Sequence, residues 1–120
     1  MTTYVVLISG EETAWEARTE AQRSATHEAH RNFAQTLAER GHKMTAGAEL
    51  TGSRDGKVVR PDGDGFTVTD GPYAETVEQL GGFYVVDSDD LDDLMRVVGE
   101  LARTEGALEV RGIVDHSGDM

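Results

Sequence analysis

The chain has 120 residues, 38% hydrophobic and 28% charged, which suits one domain and leaves no room for a second of ordinary size. Asp and Glu number 23 against 11 Lys and Arg, a net charge of -12 that disfavours the nucleic-acid backbone and anionic membrane surfaces. With Cys at 0, a disulfide framework, a thiolate metal site and a cysteine nucleophile are excluded.

Thr3 to Ser9 is rich in Val, Ile and Tyr and predicts a strand ending at Gly10. Only Met1, Thr2 and Thr3 lie ahead of the apolar Tyr4 to Ile8, with no basic leader, so no signal or membrane segment is expected and the cytoplasm is the expected compartment. Thr13 to Arg40 is helical in pattern, broken near Thr19, which can cap the longer piece with Gln22 as the far side of a capping box. The stripe runs through Ala25 or Thr26, Ala29 or His30, Phe33 or Ala34, and Leu37 or Ala38, with Gly41 past the end.

Met44 to Leu50 predicts a second strand, and Gly47 inside it marks a bulge or a close approach by another group. Lys57 to Arg60 and Phe66 to Thr69 predict a hairpin around Pro61-Asp62-Gly63-Asp64-Gly65. Tyr73 to Leu80 is expected to hold a short helix with Pro72 in its first turn. Phe83 to Val86 centres a strong strand, and Ser88 is a candidate cap for a helix with the stripe Leu91, Leu94, Met95, Val98, Leu101 and Ala102. Gly106 ends that helix and Ala107 to Val114 closes the domain as a strand, so the domain is 1–114 and 115–120 is a flexible tail.

The order β, α, β, hairpin, β, α, β predicts a ferredoxin-like α+β antiparallel sheet with both helices on one face. The other face needs a cover, and a second copy of the chain supplies one, so a homodimer is expected. Residues 1–60 carry 8 acidic and 8 basic side chains, whereas residues 61–120 carry 15 and 3. Such a half reads first as a solvated face, with a cation site or a basic protein partner as alternatives.

The run Asp70-Gly71-Pro72-Tyr73-Ala74-Glu75-Thr76, continuing through Glu78-Gln79-Leu80-Gly81-Gly82-Phe83-Tyr84, resembles the signature of the YCII-related family, in the branch known for an Asp-Gly-Pro-Phe motif. Tyr73 stands where that branch has Phe, and His30-Arg31-Asn32-Phe33 and Gly47-Ala48-Glu49-Leu50 also match. The resemblance implies a dimeric α/β-barrel-like assembly and a cleft lined by a histidine and an aspartate. It further implies a lyase- or isomerase-like enzyme doing acid–base chemistry on a small, aromatic organic ligand. Its alternative is a non-catalytic binding or regulatory module associated with an alternative sigma factor.

His30 lies on or beside the packed helix face, where a neutral imidazole can shuttle protons near pH 7, or simply fill space. Asp70 is the carboxylate expected to orient it and Glu75 the supporting one, and both also suit turn or cap roles. Tyr4, Tyr73 and Tyr84 offer rings with a phenolic handle for substrate binding. His27 sits one turn before His30, but no third ligand follows, and no metal is expected. His42 and His116 read as solvent groups. No dinucleotide fingerprint and no Gly-x-Ser-x-Gly elbow is present, so no cofactor is expected.

Overall fold

The computed structural model describes residues 1–118; Asp119 and Met120, the end of the expected tail, lie outside the described residues. The elements are β1 (Thr2–Glu11), α1 (Glu12–Glu16), α2 (Glu20–Glu39), β2 (Lys43–Glu49), β3 (Lys57–Asp62), β4 (Gly65–Asp70), β5 (Glu78–Ser88), α3 (Leu91–Glu105) and β6 (Leu108–Gly112). A single turn of 3-10 helix, Ser53–Asp55, leads into the β3–β4 hairpin.

Thr19 caps α2 as its spacing predicts. Its hydroxyl accepts from the Gln22 N–H at 3.2 Å while its own N–H donates to Gln22 Oε1 at 2.8 Å. Gly41, at φ 83°, takes the left-handed conformation that ends the helix. The cap of α3 is Asp90 rather than Ser88: Asp90 Oδ1 accepts from the Asp93 N–H at 3.1 Å, while Ser88 remains the last residue of β5. The buried stripe of α3 is Leu94, Val97, Val98 and Leu101. Leu91 and Met95 stay exposed, because the helix turns Val97 toward α2, where Ala29, Phe33 and Thr36 line the same groove.

The main sheet has the order β2-β5-β1-β6 with every neighbouring pair antiparallel. Val6 and Val86 lie at its centre and pack with Phe33 and Leu37 of α2 and Leu94, Val97, Val98 and Leu101 of α3 as one core. Both helices thus cover the same face. The two strands β3 and β4 form a separate sheet. The expected α+β sheet and inserted hairpin are present, but the barrel-like assembly is corrected: neither sheet closes. Four strands with free edges at β2 and β6 are too few to curl round and meet, which takes more strands and a matching stagger.

No helix forms over residues 73–80. β1 runs on to Glu11, and β5 begins as early as Glu78 to pair with it. The preceding carbonyls are held by side chains instead, with Gln79 Nε2 donating to Ala74 O at 2.8 Å and to Thr76 O at 3.1 Å. Gly81 is the residue bulged out where Ile8 faces Gly82 and Ser9 faces Leu80.

The molecule is flat, 50 × 48 × 17 Å. Its radius of gyration is 16.8 Å, against about 13–14 Å for a compact chain of this length. The excess comes from the hairpin, whose Val59, Phe66 and Val68 are exposed, and from a sheet covered on one face only. Among the described residues no helix is long and apolar enough to cross a membrane.

Candidate functional site

A cleft of roughly 800 Å³ opens where the distal ends of β1, β2 and β5 meet α1 and the start of α2. That is the size of a small-molecule site. Its wall is built around Tyr84. This ring stands opposite Gly47 on β2, and a Cβ at position 47 would lie 2.5 Å from Tyr84 Cδ1. The glycine inside that strand is therefore the seat of the ring, the close approach its position predicts. Phe33, with its ring centroid 5.2 Å away, holds the ring from the helix layer.

Tyr84 Oη lies 2.7 Å from His30 Nδ1, and His30 Nε2 lies 2.9 Å from Glu105 Oε1. All three residues line the cleft and are partly buried. The hydrogen bond from His30 holds the Glu105 carboxyl below its usual range against the opposing effect of burial, helped by the nearby charge of Arg18. Burial, and then the charge of Glu105, push the Tyr84 phenol above its usual range. A carboxylate can only accept, so Nε2 carries the proton when the imidazole is neutral, and Nδ1 is left to accept from the Tyr84 hydroxyl.

The other side of the cleft carries Trp15, with the guanidinium carbons of Arg18 and Arg23 5.0 and 5.4 Å from its ring centroid. Arg18 also donates to Thr26 Oγ1 at 3.0 Å. Glu12 accepts from the N–H of Ser53 at 2.8 Å and from its hydroxyl, tying the root of the hairpin to the cleft edge; these bonds lower the Glu12 pKa.

The expected site residues are thus divided. His30 and Tyr84 come together in the cleft. Asp70 does not meet His30, whose two ring nitrogens face Tyr84 and Glu105; it lies exposed at the end of β4, in an ion pair with Lys57. Glu75 is exposed in the following loop. Tyr73 is also exposed, 5.8 Å from the Arg60 guanidinium carbon. Tyr4 packs against the helix-side core and is not part of the cleft wall. Sequence reasoning missed Glu105. Its signal was a carboxylate in the last turn of α3, where the helix dipole favours cations, so a partner elsewhere had to offset the placement.

His42 is a correction: it is buried, with Nδ1 2.9 Å from Ser88 Oγ and Nε2 2.8 Å from Asp93 Oδ2. Arg40 grips the same Asp93 through both carboxylate oxygens. This second chain ties the end of α2 to the β5–α3 junction. His27 stacks edge-on to Trp15 at 6.2 Å, and His116 is exposed. Among the described residues no cluster of three or more His, Asp or Glu could hold a metal ion.

These features define a two-layer α+β domain with a cleft at one end of an open sheet. The chain belongs to the YCII-related family, whose domain profile matches residues 2–117. It is also similar to an uncharacterised protein of Rhizobium meliloti (strain 1021), 35% identical over 72 residues. That match spans 58% of this chain and 58% of the relative's length.

Proposed function

We infer that the cleft is the active site of a small lyase- or isomerase-like enzyme that moves a proton on a small, planar organic substrate, in the Asp-Gly-Pro-Phe branch of the family. The Tyr84–His30–Glu105 chain at the cleft wall carries this reading. A titratable imidazole, oriented by a carboxylate and set beside a ligand-sized cavity, is the arrangement general acid–base chemistry needs. Trp15, Gly81 and Gly82 also line the cleft, and the arginines stacked on Trp15 suit a substrate that carries negative charge or an enolate oxygen. No catalytic role falls to Asp70 or Glu75 within one chain. The test is exchange of carbon-bound hydrogen in deuterated buffer, followed by NMR, over a panel of small phenols, hydroxyquinols and keto acids. Exchange on at least one compound faster than in buffer alone is expected; a panel that neither exchanges nor binds overturns the reading.

The working unit is proposed to be a homodimer. Val5, Leu7, Phe83 and Val85 alternate along β1 and β5 with the fully covered Val6 and Val86, so they point to the face without helices. Val59, Phe66 and Val68 add an exposed apolar face on the hairpin. A second copy of the chain is the partner we propose for these patches, since closed two-fold dimers are the commonest oligomers. Light scattering at micromolar concentration is expected to give the mass of two chains, and Phe66→Asp to weaken association roughly tenfold or more. A monomeric mass for the unaltered protein overturns the dimer.

A further inference from the structure

We propose that Tyr84, not His30, is the residue that meets the substrate, its hydroxyl relaying the proton to the imidazole behind it. This rests on the reading of the cleft as a proton-transfer site. Both nitrogens of His30 are engaged, Nδ1 with Tyr84 Oη at 2.7 Å and Nε2 with Glu105 Oε1 at 2.9 Å. A substrate can reach a ring nitrogen only by displacing one of these partners. The phenolic oxygen, in contrast, gives its one hydrogen to Nδ1 and keeps its lone pairs for a further donor. Gly47 and Phe33 fix the ring so that this oxygen holds its place at the cleft wall.

In the step this geometry allows, the substrate's C–H bond breaks and its proton goes to Tyr84 Oη. The phenolic proton passes at the same time to His30 Nδ1, and the electron pair stays on the substrate as an enolate or carbanion. The imidazolium so formed is stabilised by the Glu105 carboxylate. Running the relay backwards returns the proton to the original or a neighbouring carbon. In an elimination, the electron pair instead expels the leaving group with its bonding electrons, and the imidazolium returns its proton through Tyr84 to the departing group or to solvent. No oxidant, reductant or further reactant is required.

The experiment joins a spectrum of the resting protein to a rate. Long-range nitrogen–proton NMR of ¹⁵N-histidine-labelled protein, at a pH where the His30 imidazole is neutral, is expected to show the Nε2–H tautomer with Nδ1 hydrogen-bonded. Tyr84→Phe should shift the Nδ1 resonance and leave the tautomer unchanged. An Nδ1–H tautomer in the unaltered protein overturns the proposal whatever the substrate, because Tyr84 then accepts from the ring. In the exchange assay, Tyr84→Phe is expected to lose roughly 100-fold or more, comparable to His30→Gln. Full exchange by Tyr84→Phe beside a dead His30→Gln overturns the relay and leaves His30 as the direct base. Absence of exchange by the unaltered protein counts instead against the wider reading of the cleft.

Discussion

His30→Gln is expected to lower turnover by roughly 100- to 10,000-fold while the chain stays folded. The replacement is chosen for its hydrogen-bond polarity. The Gln amide nitrogen can donate toward Glu105 and its carbonyl oxygen can accept from Tyr84, the same two roles that Nε2 and Nδ1 play. What Gln cannot do is take up a proton near neutral pH. His30 is partly exposed at the cleft and outside the buried core, so the stability cost should stay within about 1 kcal/mol. Thermal unfolding and exchange rate on the same preparation separate the two effects. A large drop in Tm with activity per folded molecule unchanged would assign His30 to packing alone.

The regular elements were legible because local chemistry and tertiary need agreed. The Thr19–Gln22 box, the break between α1 and α2, the hairpin and the α3 helix all follow from spacing that the fold then uses. The loop over residues 73–77 was not legible, since nothing local says that β1 extends to Glu11 and recruits Glu78 as its partner. The same limit governs the site. His30 and Gly47 stood out singly, one by its place on the helix face and the other as a glycine within a strand, but they are linked only through Tyr84, which faces both across the sheet and the helix layer. Asp70 stood out through its motif, yet the hairpin carries it away from the cleft and into an ion pair with Lys57. Glu105 meets His30 from 75 positions away, and such a pairing has no signature in spacing. His42 misled for a similar reason: one residue past a helix-ending glycine looks like solvent until Ser88 and Asp93 close over it.

The Arg40–His42–Asp93 cluster should set the acid limit of the fold. Asp93 is held down to about 2, first by its hydrogen bonds from Arg40, then by that from His42, with burial opposing. A carboxyl whose folded value lies below its ordinary 3.8 contributes fully above that ordinary value, and the contribution is lost as pH falls toward about 2. Glu105, also lowered, loses its contribution as pH falls below its ordinary 4.5. Tm is therefore expected to fall steeply as pH drops from about 4 to 2. Asp93→Asn keeps an oxygen toward Arg40 but no charge, so it should melt lower than the parent at neutral pH and show a shallower fall on acidification. His42→Ala removes a buried ring and takes one hydrogen bond each from Ser88 Oγ, which keeps Asp90, and from Asp93 Oδ2, which keeps Arg40, a loss of about 1–3 kcal/mol, or several degrees in Tm. Its exchange activity per folded molecule should be unchanged, since the cluster lies outside the cleft. Parallel acid limbs for the parent and Asp93→Asn would show that the acid transition is set elsewhere. A His42→Ala variant as stable as the parent would show that the buried imidazole contributes nothing to holding α2 against the β5–α3 junction.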